Sequence, residues 1–244
     1  MMRMEAVRQA WNDLPLADLD TILQGRVPVI LAPHPDDESI GCGGLIAQAC
    51  AAGVKPQVVI LTDGCRSHPN SPSYPAERLR HAREREAQTA LGLLGLPIGN
   101  IWFLGLEDTA MPRVGPAFQL AARRVLGICE GQERPVLLTA WRHDPHCDHE
   151  AAAGLAVHVA GRAGIPLLSY PVWGWTLPDD AMVDEPFPHG WRLDIGDELD
   201  VKEQAIKAHA TQYGDLIKDD PGGFKLPESL LTHFPKAFEV YLAS

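Results

Sequence analysis

The sequence predicts a single α/β domain of the Rossmann-like type, in which a mostly parallel sheet carries helices on both faces. Short apolar segments alternate with longer segments of helical periodicity along most of the chain. Runs such as Val58-Val59-Ile60-Leu61 show no polar alternation, which is typical of strands buried on both faces. Because 244 residues suit one domain with a substantial core, we expect residues 1–244 to form a single domain, with residues 1–25 as an N-terminal helical extension.

Each element is predicted from local patterning. An apolar stripe of leucine and isoleucine predicts one or two short helices in the N-terminal extension. Short apolar runs bounded by turn-forming residues predict strands at residues 27–32, 57–62, 100–104, 136–140, 191–195 and 237–242, with a further strand within 166–175. Apolar residues that recur every three or four positions predict helices at residues 40–52, 77–95, 118–130, 150–164 and 198–213.

Composition excludes several classes of protein. A net charge of -11 argues against a nucleic-acid partner and against binding to anionic membranes, since both require a basic face. No apolar run is long enough to span a bilayer, and the first thirty residues lack the apolar core of a signal peptide. The five cysteines form no C-x-x-C pair, which favours free thiols in a reducing compartment. We therefore expect a cytoplasmic protein without membrane insertion.

The turn after the first predicted strand does not match a dinucleotide-binding site. The pattern G-x-G-x-x-G is broken, because Ile46 takes the place of the third glycine after Gly41 and Gly43. The adjacent carboxylates of Asp36 and Asp37 would repel a pyrophosphate group. The sequence thus argues against a nicotinamide or flavin cofactor.

Two polar clusters follow predicted strands about a hundred residues apart. Residues 33–38 read Pro-His-Pro-Asp-Asp-Glu and follow strand 27–32, and residues 146–149 read His-Cys-Asp-His and follow strand 136–140. Open α/β sheets bind their ligands outside the carboxyl ends of the strands. Histidine and carboxylate are also the usual ligands of a catalytic zinc ion. The two clusters are therefore predicted to meet and to hold one metal ion.

Spacing narrows the choice of ligands within each cluster. Residues at i and i+3 of a strand-to-helix turn can face a common point, which pairs His34 with Asp37 and His146 with His149. The remaining aspartate of each cluster is then available for another role.

The two clusters resemble the signatures A-H-P-D-D-E and H-x-D-H of the LmbE-like (PIG-L) family of zinc-dependent N-deacetylases. Pro33 stands in place of the alanine of the first signature. The helix segment that contains Arg83, the segment Thr62-Asp63-Gly64 and residues 202–212 are also similar to the family. The resemblance covers the chain from Val27 onward and implies the Rossmann-like fold.

The resemblance implies one metal ion per chain, held by His34, Asp37 and His149. Zinc is the expected ion, although the ligand types also suit Fe²⁺ or another divalent ion. By the same resemblance Asp36 is the general base that takes a proton from the attacking water. His146 corresponds to the residue that stabilises the oxyanion or protonates the leaving amine.

The resemblance implies two supporting residues, Asp148 and Arg83, and a third, Arg66, lies where the chain departs from the family. Asp148 is expected to orient His146. Arg83 matches a family position that reaches the substrate, and Arg66 lies in a loop where many relatives carry an acidic residue instead of Cys65-Arg66. We therefore expect both Arg83 and Arg66 to bind substrate.

The other polar and aromatic residues near the clusters are given structural interpretations. Glu38 is expected to support the site or to lie at a helix start, and Cys147 is out of register with the histidines on either side. His143 and Asp144 are expected at the rim, and His68 and His209 are expected to be exposed. Core or rim packing is expected for Trp141, Trp173 and Trp175.

Taken together, the residues and the resemblance predict a metal-dependent hydrolase that removes an N-acetyl group from an N-acetylglucosamine-type sugar or glycoside. Its partner is then a small N-acetylated molecule. One alternative is an amidase that acts on another N-acyl or thiol-conjugate substrate, and another is hydrolysis of a phosphoester. A catalytically silent carbohydrate-binding protein on the same fold is the alternative outside the enzymes.

Overall fold

The computed structural model describes residues 1–184 and 187–243. The strands are β1 (Met2–Arg3), β2 (Leu16–Ala17), β3 (Val27–Ala32), β4 (Gln57–Thr62), β5 (Ile101–Leu106), β6 (Pro135–Ala140), β7 (Leu167–Tyr170), β8 (Met182–Val183), β9 (Gly190–Asp194) and β10 (Phe238–Ala243). The helices are α1 (Met4–Asp13), α2 (Leu19–Leu23), α3 (Asp37–Ala51), α4 (Ala76–Leu93), α5 (Gly115–Glu130), α6 (Cys147–Ala163), α7 (Leu199–Ala208), α8 (Ala210–Tyr213) and α9 (Glu228–Leu231). Short 3-10 helices lie at Ile98–Asn100, Trp173–Thr176 and Gly196–Glu198.

The central sheet has eight strands in the order β2-β9-β10-β7-β6-β3-β4-β5. The strands from β7 to β5 pair in parallel, and β2 is parallel to β9. Strand β10 is antiparallel to both of its neighbours. The predicted α/β fold with a mostly parallel sheet is therefore confirmed.

The core lies on both faces of the sheet, because alternate residues of each strand point to opposite sides. Ile30 and Ile60 belong to one buried cluster, which includes residues of α3, α4 and α7. Leu31 and Leu61 belong to a second cluster, together with residues of α5 and α6. Helices thus cover both faces, which explains why these strands are apolar throughout.

The chain order of the strands brings the two polar clusters together. Strand β3 lies between β4 and β6 and is parallel to both. The chain continues from β3 to β4 and β5 on one side, and from β6 to β7 on the other. The carboxyl ends of β3 and β6 therefore adjoin where the strand order reverses, which is the usual binding position in an open α/β sheet.

Some elements differ from the prediction. The helix predicted at residues 198–213 is divided into α7 and α8 at His209, whose backbone has φ -77° and ψ 59°. The two-residue strands β1, β2 and β8 had no sequence signal, because their pairing arises from tertiary contacts. The assignment of residues 1–244 to one domain stays a prediction, and residues 185, 186 and 244 lie outside the described residues. In the described ranges, the structure has no helix long and apolar enough to cross a membrane.

Candidate metal centre and active site

The turn after β3 has a strained backbone that is held by hydrogen bonds. Thr62 donates from its backbone nitrogen (3.0 Å) and from Oγ1 (2.8 Å) to the carbonyl oxygen of Pro33. Asp36 has φ 150° and ψ -31°, a conformation that is costly for a residue with a Cβ. Glu38 Oε2 accepts a hydrogen bond from the Asp36 backbone nitrogen at 3.0 Å. This geometry directs Asp36 into the site while Asp37 begins α3.

Glu38 in turn contacts a buried histidine, His209, which lies at the break between α7 and α8. His209 Nε2 lies 3.3 Å from Glu38 Oε1 and 2.9 Å from Ser39 Oγ. Burial alone would lower the pKa of His209, but Glu38 raises it above its usual value. His68 and His209 were both expected to be exposed, and both expectations were wrong; the side chain of His209 is fully buried. No periodicity marks this position, because its burial depends on the break in the helix.

Three ligand atoms converge beneath this turn. Asp37 Oδ2 lies 3.3 Å from His34 Nδ1 and 3.2 Å from His149 Nε2. All three side chains are buried. Although Asp37 Oδ2 is near, His149 Nε2 makes no hydrogen bond with any of the described residues, which is rare for a buried polar atom. A metal ion bound by these three atoms would satisfy it, so the residues present fit a metal site.

The opposite nitrogen of each histidine ring faces a carboxylate. His34 Nε2 lies 3.1 Å from Asp148 Oδ2 and 3.3 Å from Asp108 Oδ1. His149 Nδ1 lies 3.0 Å from Asp144 Oδ2. Metal-binding histidines usually donate their second ring N–H to such a group, which sets the tautomer and the ring orientation.

Two of these carboxylates were not predicted as site residues. Asp144 was expected at the rim, but it is buried and accepts hydrogen bonds from the backbone nitrogens of Val172 (3.1 Å) and Gly174 (2.7 Å). Asp108 had no assigned role. Both follow strands of the sheet, β5 and β6, at the edge where the clusters lie. Position after a strand was therefore the signal that could have identified them.

The electrostatics of the three ligands favour a bound cation. Burial alone would lower the pKa of His149, but Asp37 and Asp144 raise it to about 9. Burial alone would also lower the pKa of His34, but three neighbouring carboxylates raise it well above its usual value. Burial alone would raise the pKa of Asp37, yet the two histidines hold it well below its usual range. The site attracts positive charge, and a metal cation can supply it.

Asp36 lies beside this centre and is held by a buried guanidinium group. Arg83 Nη2 donates to Asp36 Oδ2 (3.2 Å) and to the carbonyl oxygen of Pro35 (2.8 Å), while Nη1 donates to the carbonyl oxygen of Gly64 (2.9 Å). Burial raises the pKa of Asp36 to about 6, although Arg83 favours the ionised form. A Cβ on Gly64, at φ +63°, would lie 2.6 Å from Arg83 Nη1. The glycine of the Thr62-Asp63-Gly64 segment is thus required by the arginine.

His146 is the N-cap of α6, and its Nδ1 accepts a hydrogen bond from the Asp148 backbone nitrogen at 3.2 Å. Its ring packs edge-on against His34, with centroids 4.5 Å apart. Burial and the neighbouring histidines His34 and His149 lower the pKa of His146 to about 4. The imidazole is therefore neutral near pH 7, and its proton lies on Nε2.

Asp148 is placed differently from the prediction that it orients His146. Its carboxylate accepts hydrogen bonds from the backbone nitrogens of Thr109 (2.7 Å) and Met111 (3.1 Å), and it faces the His34 ring. Asp148 therefore contacts His146 through its backbone and His34 through its carboxylate. At the start of α6, the side chains of His146 and Asp148 thus point in different directions.

A cavity of about 240 Å³ adjoins the metal centre. Arg66 lines it, but this side chain is 56% exposed and pairs with Glu107, Nη2 to Oε1, at 2.7 Å. Arg83 also lines the cavity, from its buried position. Cys147 is exposed, and its Sγ lies 3.5 Å from the carbonyl oxygen of Thr109. The two arginines predicted to bind substrate therefore reach the cavity.

Comparison with known proteins agrees with this geometry. The PIG-L family model, described as GlcNAc-PI de-N-acetylase, matches residues 29–160, more than half of the chain and a range that includes both polar clusters. The chain is 26% identical over 195 residues to the diacetylchitobiose deacetylase of Thermococcus kodakarensis, covering 77% of this chain and 70% of that protein. It is 29% identical over 198 residues to the probable N-acetyl-alpha-D-glucosaminyl L-malate deacetylase 2 of Bacillus anthracis, covering 80% and 84%. Its fold is similar to that of N,N'-diacetylchitobiose deacetylase from Pyrococcus horikoshii in complex with an inhibitor, with a TM-score of 0.62, 22% identity and coverage of 86% and 78%. The chain therefore belongs to the PIG-L family.

Proposed function

We propose that this protein is a zinc-dependent N-deacetylase that hydrolyses the acetamide of an N-acetylglucosamine-type sugar or glycoside. The proposal is carried by the close approach of His34 Nδ1, Asp37 Oδ2 and His149 Nε2 beside a cavity that His34, Asp36 and Asp37 line. Relatives at 26% and 29% identity are named as deacetylases of acetylated sugars, which supports the same substrate class. The reducing compartment predicted from five free cysteines makes the cytoplasm the proposed location.

The three ligands would hold one divalent ion, and two histidines with one carboxylate suit zinc. Bound there, zinc would polarise the amide carbonyl and lower the pKa of a water molecule towards about 7. The carboxylates of Asp108, Asp148 and Asp144 would keep both histidine rings in the orientation that binds metal.

Asp36 is the proposed general base. Its carboxylate lines the cavity, and a pKa of about 6 leaves it mainly ionised at pH 7 while keeping it able to accept a proton. After the water attacks the carbonyl carbon, the proton held by Asp36 can pass to the leaving nitrogen. Arg83 and the strained turn fix where that proton is held.

His146 is proposed as a neutral hydrogen-bond donor to the carbonyl oxygen as negative charge develops on it. Its Nδ1 is occupied as an acceptor, so the Nε2–H is the group available to the cavity that His146 lines. A donor aimed at the developing oxyanion is worth about 10²–10³ in rate in other enzymes. The lowered pKa of His146, about 4, favours this role over protonation of the leaving amine.

The test is acetate release by zinc-loaded protein from N-acetylglucosamine, N,N'-diacetylchitobiose and an N-acetylglucosaminide. We expect Asp36→Asn to lower kcat by about 10²–10⁴ with zinc content unchanged, since Asp36 is not one of the three ligands. Asp219→Asn, which removes a carboxylate that contacts Ser71 and Ser73 away from the centre, is the matched control and is expected to retain wild-type kcat. An Asp36→Asn protein as fast as the wild type would refute the proposed base.

The same substrate panel tests the alternatives. A phosphoesterase would need cationic groups for the phosphate, but both arginines that line the cavity are already paired within the protein. Hydrolysis of a thiol-conjugate amide, with no acetate released from any sugar, would favour the amidase alternative.

A further inference from the structure

The cavity beside the metal centre is lined by apolar side chains as well as by polar ones. The apolar ones are Ile40, Trp173, Phe224 and Leu226. The rings of Trp173 and Phe224 meet edge to face, with centroids 5.8 Å apart and an interplanar angle of 64°. Phe224 is 40% exposed, so part of its ring is open to a further contact. An apolar surface is therefore open beside the position of the reacting amide.

The segment that carries Phe224 is held in place by its backbone. The Phe224 nitrogen donates to the carbonyl oxygen of Ser67 at 2.6 Å. Asp220, which is buried, accepts a hydrogen bond from the Asn70 nitrogen at 2.9 Å. Gly223 packs so closely on His68 that a Cβ there would lie 2.1 Å from the imidazole ring. Phe224 is thus presented at the cavity by a fixed segment.

The cations of the cavity are already paired. Arg83 makes hydrogen bonds with Asp36 and with two backbone carbonyl oxygens, so its two terminal nitrogens are engaged. Arg66 pairs with Glu107, and its backbone nitrogen donates to Asp108 Oδ2 at 2.8 Å. Among the described residues that line the cavity, Arg66 and Arg83 are the only arginines, and there is no lysine. An anionic group on the substrate would lie close to carboxylates and would find no unpaired guanidinium group.

We propose that the enzyme selects a neutral N-acetylated sugar that carries an apolar aglycone, and that the aglycone packs against Trp173 and Phe224. This inference rests on the proposed deacetylase function and adds the class of substrate. Aromatic pairs in edge-to-face geometry leave ring faces that favour a further apolar or aromatic group. The same surface gives no advantage to a free monosaccharide or to an acidic aglycone.

The test compares kcat/KM for acetate release by the zinc-loaded full chain with three substrates. These are N-acetylglucosamine, phenyl N-acetyl-β-glucosaminide and the malate glycoside of N-acetylglucosamine. We expect the phenyl glycoside to exceed the monosaccharide by about tenfold or more, because burial of an aromatic ring of this size favours binding by at least that factor. The malate glycoside is expected to be the poorest of the three.

Variants then assign the preference to the aromatic pair. Phe224→Ala and Trp173→Ala are each expected to lower the ratio of kcat/KM for the phenyl glycoside over the monosaccharide by about five- to tenfold. Phe224→Leu is expected to restore part of that ratio. Leu120→Ala, which removes an apolar side chain on α5 that is 54% exposed, is the matched control and should keep the wild-type ratio.

The outcomes separate this inference from the proposed function. Acetate release with no preference for the phenyl glycoside, or with a preference for the malate glycoside, would overturn the inference and leave the deacetylase function standing. If Phe224→Ala lost kcat/KM equally with N-acetylglucosamine and with the phenyl glycoside, the Phe224 ring would be assigned to the sugar rather than to the aglycone. That result would also overturn the inference. Acetate release from none of the three would overturn the proposed function and the inference with it.

Discussion

Asp144 gives a sharp test of how the metal centre is built, because its carboxylate joins the centre to the backbone. Oδ2 faces His149 Nδ1 at 3.0 Å and accepts from the Val172 nitrogen at 3.1 Å, while Oδ1 accepts from the Gly174 nitrogen at 2.7 Å. The substitution Asp144→Asn keeps the volume of the side chain and replaces one oxygen by an NH₂ group. In either orientation of the amide, the NH₂ group therefore faces another N–H donor.

Both orientations of the asparagine are unfavourable. With its oxygen towards Gly174, the NH₂ group faces the Val172 N–H and the His149 Nδ1–H. With its oxygen towards His149, the NH₂ group faces the Gly174 N–H. A buried donor without an acceptor costs about 1–3 kcal/mol, so the free energy of unfolding should fall by that amount. The loss of a carboxylate behind a metal-binding histidine lowers metal affinity by about 10–100-fold, which equals about 1.4–2.7 kcal/mol.

The assay is competition for zinc with a chelator of known affinity, with denaturant unfolding of the metal-free protein alongside it. Asp220→Asn is the matched control, because Asp220 is buried and accepts a backbone N–H away from the centre. It is expected to lower stability without changing the zinc Kd. If Asp144→Asn bound zinc within twofold of the wild type while losing as much stability as Asp220→Asn, the supporting role of Asp144 would be refuted.

Three further predictions concern the surroundings of the site. Gly64→Ala should lower kcat at least tenfold, because its Cβ would displace Arg83. It should also lower the free energy of unfolding by about 1–2 kcal/mol, because residue 64 has a positive φ. Unchanged kinetics would contradict this prediction. Lys202→Met should lower the free energy of unfolding in urea by about 3–5 kcal/mol, since it leaves the buried Glu239 without its cation at 2.6 Å, and a loss below about 1 kcal/mol would argue against the pair. Because the pKa of His209 is raised in the folded protein, protonated His209 stabilises the fold. This contribution is full below the pKa of histidine in the unfolded chain, about 6.5, and is lost as pH rises through the pKa of His209 in the folded protein. The unfolding free energy of wild type relative to His209→Gln should therefore fall from pH 6 to pH 9, and a difference that does not vary with pH would contradict the assignment.

The fold was predictable where the signal is local. Strands β3, β4 and β6 are apolar runs between turn residues, and their bounds agree with the prediction within one residue. The division of the helix at His209 was not predictable, because it accompanies a contact between His209 and Glu38, which lies in a distant part of the chain. The two-residue strands were missed for the same reason, since only their partners define them.

The site was predictable where a motif concentrates polar residues. The two clusters named His34, Asp37 and His149, and the structure brings a ring nitrogen of each histidine within 3.3 Å of Asp37 Oδ2. Asp108 and Asp144 were missed because both lie in loops outside the two clusters, and a carboxylate in a loop is usually exposed. The orientation of Asp148 towards His34 depends on the geometry of the first turn of α6, and the residues that flank Asp148 in the sequence do not indicate it.

Whether His34, Asp37 and His149 hold one metal ion is decided by the metal content of the protein after reconstitution. Protein is equilibrated with a small excess of zinc, desalted and analysed for metal per chain. About one zinc ion per chain is expected in the wild type and in His68→Ala, which removes a buried histidine elsewhere, and almost none is expected in His149→Ala. A wild-type protein that stays metal-free, or a His149→Ala protein that keeps its zinc, would show that these three residues do not hold the ion.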